Sequence, residues 1–169
     1  MSEATAHPTH TSLPVRAYLL LIALGRWFTP LLLLAIRVAW GWQLFLTGKG
    51  KLGNLDKVTR FFTDLNIPMP HFNAALVACT ECFGGLALLV GLGGRLAAVP
   101  LTISMTVAYL TAHKDNVHSL DDFVAQAPFP FLLTALIIFA FGPGLLSIDG
   151  LLKYTIFAKH IQQRQLPVP

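Results

Sequence analysis

The chain has 169 residues, 54% of them hydrophobic and 12% charged, about half the charge share of a soluble domain. A mean hydropathy of +0.63 argues against an ordinary soluble globule. The formal charge of +4 comes from loop and tail cations, without the basic, aromatic-interleaved cluster that nucleic acid requires, so the lipid bilayer is the expected partner and nucleic acid is excluded.

The apolar residues fall in blocks. Residues 27–48 carry one charge, Arg37; residues 71–91 carry one, Glu81; residues 96–112 and 123–148 carry none. Each block reaches or approaches the ~20 residues that cross a hydrocarbon core of about 30 Å. The expected fold is therefore all-α, an integral membrane four-helix bundle with interfacial amphipathic helices at the N- and C-terminal ends. One domain fills the chain, leaving no separate soluble catalytic module.

Taken in order, residues 1–14 are too polar to pack and read as a disordered tail. Residues 15–26 read as an uncleaved helix in the headgroup region, held by Arg16, Arg26 and Trp27. Pro30 suits the first turn of a span over 29–48, which stops at Gly48-Lys49-Gly50-Lys51, where the loop cations Lys49 and Lys51 meet the headgroups. The next connector has a helical period with an apolar face through Phe61, Phe62 and Leu65, and is expected on the membrane surface. The breaker Asn66-Ile67-Pro68-Met69-Pro70 admits a second span over 71–91. Its glycine-rich end makes a tight turn into an antiparallel third span over 95–113, and a fourth covers 128–147. Residues 149–165, with Lys153, Lys159 and Arg164 around apolar positions, read as a second interfacial helix. Six cations on the side of the termini against five opposite weigh weakly for cytoplasmic termini.

Buried ionisable groups are expensive in a membrane. Arg37 lies 11 residues before Gly48 and Glu81 lies 11 residues after Pro70, so at 1.5 Å per residue each is about 16 Å deep and at one level. They read as a structural ion pair, as a polar site that binds or protonates something, or as a lipid-facing accident. Arg95, Thr102, Thr106, Tyr109 and His113 share one face of the third span, fitting interhelical hydrogen bonds or an inward polar core. Gly84 and Gly85 allow close approach of a backbone or a flat ligand. Cys79 and Cys82 flank Glu81 in a C-x-x-C about three turns inside the helix, where burial opposes thiolate formation; packing, thiol chemistry and metal binding are the readings, in that order. No metal site, phosphate loop or hydrolase motif is present in the sequence.

Several segments together resemble the DoxX family: Phe45-x-x-Gly48-x-x-Lys51-Leu52, Ile67-Pro68-Met69-Pro70, Glu81-x-x-Gly84-Gly85, Leu88-Leu89-x-Gly91-Leu92-x-x-Arg95, and the stretch from Ala108 to His113-Lys114. The resemblance covers residues 31–152. It implies four transmembrane helices without a dedicated cofactor motif, and a prokaryotic cytoplasmic membrane location. The wider group includes membrane subunits of thiosulfate:quinone oxidoreductase, and some members are associated with thiol and sulfur redox balance. Two functions follow as expectations. One is an accessory or quinone-interacting subunit with a redox protein partner and a polar pocket of Arg37, Glu81, Arg95, Tyr109 and His113, in which Arg or His donates to a quinone carbonyl and the acid exchanges a proton. The other is a non-catalytic scaffold or small-solute permease with a structural polar core. A homo-oligomer is compatible with both.

Overall fold

A computed structural model describes residues 13–155. Every regular element among them is helical: α1 (Leu13–Ile36), a π-helical segment (Arg37–Gly41), α2 (Trp42–Gly53), α3 (Leu55–Asp64), α4 (Pro70–Val90), α5 (Gly94–Thr111), a 3-10 turn (Lys114–Asn116), α6 (Leu120–Ala125) and α7 (Phe129–Phe141). Residues 148–155 are helical as well. Two helices are long and apolar enough to cross a membrane, Leu13–Gly53 and Pro70–Val90. The expected tail over 1–14 lies outside the described residues except for Leu13 and Pro14, which are already helical, and residues 156–165 of the expected C-terminal helix also lie outside them.

The break expected between residues 26 and 29 is absent. Helix runs unbroken from Leu13 to Gly53 over 41 residues, about 61 Å. Pro30 sits inside it, where it removes the one hydrogen bond its missing N–H would make. No second breaker stands beside it, and the Thr29 hydroxyl donates to the Gly25 carbonyl at 2.8 Å. The stop expected at Gly48 is also absent, since α2 continues to Gly53. Gly48 is a packing residue: a Cβ there would overlap the backbone of Glu81 and Cys82. The fourth helix is shorter than its span expectation of 128–147, because Gly142 at φ 78 ends it.

Small residues set the tightest contact in the fold. Gly41 faces Leu89 and the Gly85 carbonyl, Gly85 faces Gly41, Leu44 and Phe45, and Gly48 faces Cys82. Gly41 of the π-helical segment and then Gly48 of α2 thus meet residues earlier and earlier in α4, and the two helices run antiparallel at backbone distance. Met69 at φ 47 ends the breaker and lets Pro70 begin α4. Gly91 and Gly93, both left-handed, turn the chain into α5. α5 packs between α4 and α7, with Leu101 seated on Gly84. The core of Leu33, Leu44, Leu88, Ala98, Leu101, Met105, Ala135 and Ile138 joins α1, α2, α4, α5 and α7. The connector helix α3 packs against α4.

Gly85→Ala and Gly48→Ala should each lower stability by about 1–3 kcal/mol or more, because backbone stands where the new methyl must go. Gly50→Ala, with nothing within 4 Å of its Cβ, should be neutral or gain up to about 1 kcal/mol of helix propensity. Thermal unfolding of detergent-solubilised protein by circular dichroism compares the three.

Candidate functional site

Arg37 stands at the π-helical segment, where the wider turn brings both Arg37 and Gly41 into buried positions. Arg37 is 2% exposed. Nε donates to the Leu88 carbonyl at 2.9 Å, one Nη to Pro143 at 2.6 Å and Leu146 at 2.9 Å, and the other to Leu89 at 3.1 Å. Leu88 and Leu89 belong to the last turn of α4, whose carbonyls have no helical partner, and a cation there also suits the helix dipole. Gly91 must be glycine twice over, by φ 73 and because a Cβ would press on the guanidinium and Ser147.

The same device recurs at α7. Arg95 Nε donates to the Phe139 carbonyl at 3.1 Å and Nη to Ala140 at 3.2 Å, again last-turn carbonyls. Asp149 closes the opposite kind of end: its carboxylate accepts from the Gly93 and Gly94 N–H groups at 2.8 and 3.0 Å at the start of α5, while its own N–H donates to Gly91.

Arg37 and Glu81 do not meet. With Gly48 opposite Cys82, antiparallel register carries Arg37 past the end of α4, about 16 Å along the axis from Glu81. The equal-depth expectation took Gly48 and Pro70 as the two helix ends on one face, whereas α2 runs on and α3 fills the space beside the start of α4. The partner of Glu81 is Lys51, whose Nζ lies 2.5 Å from Oε1. Glu81 is 4% exposed, Lys51 is half-buried, and Glu81 Oε2 is buried without a hydrogen-bond partner. The sequence expectation places Lys51 among the headgroup cations; the signal for the pair is the alignment of the small residues of the first helix, Gly41 and Gly48, against Cys82 and Gly85 of α4.

The stripe on α5 is divided. Thr102 and Thr106 bond back to carbonyls of their own helix, and Arg95 is exposed. Tyr109 is buried, donates to the Phe123 carbonyl at 2.7 Å and stacks on the Phe123 ring at 4.4 Å. His113 Nδ1 lies 2.7 Å from Gln126 Oε1. Both therefore fasten the segment around α6 to the end of α5. Outside the spans, hydrogen bonds with the Ser119 hydroxyl and from the His118 N–H hold the Asp122 carboxyl below the ordinary carboxylate range. Cys79 is half-buried and Cys82 buried, both free thiols, and Lys49 is exposed. The five expected pocket residues thus fall into two groups. Arg37 and Arg95 clasp helix ends at one side, while Glu81 with Lys51, and then Tyr109 and His113, lie toward the other. Among the described residues no three His, Cys, Asp or Glu side chains come together as a metal site.

Residues 32–114 match the model of the DoxX family. This chain carries a DoxX domain. Across 72% of its length it is 28% identical to an uncharacterized protein of Haemophilus influenzae, and across 69% it is 28% identical to a Bacillus subtilis protein named "Putative oxidoreductase CatD"; each alignment covers 83% of the relative. No solved structure matches. The DoxX domain and the apolar helices together give a membrane protein.

The pairing of charges is testable by double-mutant cycles. Lys51→Met and Glu81→Gln should couple by about 0.5–3 kcal/mol, whereas Arg37→Leu and Glu81→Gln should add within about 0.5 kcal/mol. Arg37→Leu alone should be among the most damaging changes in folded yield, since it strands four carbonyls. Monodisperse yield and thermal unfolding measure both.

Proposed function

We propose that this DoxX-domain protein is an accessory, quinone-interacting subunit in sulfur or thiol redox metabolism, seated as a multi-pass four-helix bundle in a prokaryotic cytoplasmic membrane. In this reading the spans are Leu13–Gly53 in its second half, α4, α5 and the segment around α7, with helices lying in the interface before the first and after the last. Both termini are cytoplasmic.

The observation that carries the reading is the Lys51–Glu81 pair within the apolar bundle, with one carboxylate oxygen bare. An ammonium can donate to a quinone carbonyl, and the neighbouring carboxylate can take up or release the proton that accompanies electron transfer. The donor set fits such a guest. Tyr109 and His113 lie toward the same end, where a redox protein and water can arrive. The relative named as an oxidoreductase lends the redox class further support. Cys79 and Cys82 have no role here, because they sit in the middle of α4, away from both of its ends, as free thiols.

A scaffold or permease is the second reading. It is favoured by Arg37 and Arg95, whose hydrogen bonds go to backbone carbonyls and explain both cations by architecture alone.

Purification in mild detergent, with identification of bound quinone and co-purifying proteins, separates the two. For the redox reading, Glu81→Gln and His113→Ala should lower quinone-linked activity at least tenfold, roughly the loss of one hydrogen bond to a charged group. The double change Cys79→Ala with Cys82→Ala should leave it nearly intact. Essential cysteines with a dispensable acid and histidine would replace this pocket by a thiol mechanism. In that cysteine-free background, single cysteines placed at 115–119 should label from outside the cell and those after residue 153 should not; the reverse pattern would invert the topology.

A further inference from the structure

A buried ionised carboxylate accepts hydrogen bonds and donates none. Glu81 has Oε1 on the Lys51 ammonium, while Oε2 is buried and bonded to nothing. Across the α4/α5 contact a second buried polar atom lacks a partner, Ser104 Oγ. Leu101 sits on Gly84 where these antiparallel helices cross. One turn onward in α5 is Ser104, and one turn back in α4 is Glu81, each three residues from the contact and therefore on the facing stripe. The two residues that carry these atoms thus stand at one level of the α4/α5 contact. Buried polar atoms are nearly always satisfied, by protein or by a guest.

We propose that Glu81 and Ser104 frame a binding position for a neutral hydroxyl group. The guest O–H donates to Glu81 Oε2, and its oxygen accepts from the Ser104 hydroxyl. An anion is disfavoured, because it would meet the carboxylate; a cation is disfavoured, because Lys51 already neutralises that charge. A guest lacking a donor leaves Oε2 bare. The half-buried Lys51 marks the side of arrival, since the far end of α4 is closed by Arg37 on the Leu88 and Leu89 carbonyls. A water molecule and the hydroxyl of a small organic molecule share this chemistry. The proposal does not depend on the redox reading.

The test uses the full chain in lipid nanodiscs. Phenol and its methyl ether, anisole, are matched apolar probes that differ in the hydroxyl donor, and their binding is measured by saturation-transfer NMR. Radiolytic oxidation of Met105, which is 5% exposed beside Ser104, reports bound water. If an organic hydroxyl is the guest, phenol binds at least tenfold more tightly than anisole, roughly the loss of one hydrogen bond to a charged group. That preference vanishes in Glu81→Gln and weakens in Ser104→Ala. If water is the guest, phenol does not bind, Met105 is oxidised rapidly, and Ser104→Val or Glu81→Leu suppresses the oxidation while Ser104→Thr retains it. Should Glu81 variants not fold, the Ser104 series decides alone. Equal binding of phenol and anisole, or neither phenol binding nor rapid Met105 oxidation, overturns the proposal. Loss of quinone binding with an intact phenol preference would sink the redox reading and leave this one standing.

Discussion

A helix end inside an apolar solvent is a problem that water cannot solve, and the guanidinium of Arg37 solves it for two segments at once. The last-turn carbonyls of α4 and the carbonyls of Pro143 and Leu146 all converge on one buried cation. Without it each would lack a donor, at roughly 1–3 kcal/mol apiece. The π-helical segment and the left-handed Gly91 both follow from this demand. One widens the turn that carries the arginine, and the other clears the space its side chain enters. Arg95 repeats the solution at α7, and Asp149 supplies the inverse at the start of α5. Arg37, Arg95 and Asp149 are thus absorbed by backbone, and of these only Arg37 reads from sequence as expensive.

What remains is the charge that backbone does not absorb. The close approach of α2 and α4 through Gly41, Gly48 and Gly85 fixes their register, and register decides which polar groups can meet. It withdraws Glu81 from Arg37 and delivers it to Lys51. A carboxylate with one paired oxygen and one bare oxygen is poor architecture, since replacing a buried pair by apolar residues is often neutral or better for stability. The Arg37 contacts are explained by folding alone; the Glu81 contacts are not. The two ends of the bundle therefore differ in kind.

The all-α class, the tight α4/α5 turn and the glycine-mediated approach could be read from apolar block lengths and small-residue spacing. Depth could not. The level of Arg37 was reckoned from glycines taken as stops, but a glycine in an apolar helix marks a helix end or a helix contact with the same letter. Gly48 is the second kind, and the three-turn error in register follows from it. Asp149 and Gln126 do not stand out in the sequence because each acts through a partner more than ten residues away, a distance at which local periodicity carries no signal. Conversely, Thr102 and Thr106 lay on the expected stripe yet bond their own helix, which one-dimensional spacing cannot distinguish from bonding a neighbour.

The length of the first helix imposes a last constraint. A hydrocarbon core of about 30 Å accommodates roughly half of a 41-residue helix, even allowing for ordinary tilt. If the half bearing Arg37 and Gly48 is fixed in the bundle by α4, the half before Pro30 must leave the core or turn along its surface. Composition decides between these. Residues 17–24 are apolar and largely exposed, with Trp27 at their end, and apolar surface of that extent is not held in water. In the topology proposed above, the segment lies along the boundary, with Arg26 and Trp27 at the headgroup level. Pro30 lacks the N–H that would stiffen the turn at that depth, so the same residue that fails to end the helix is where it bends most cheaply.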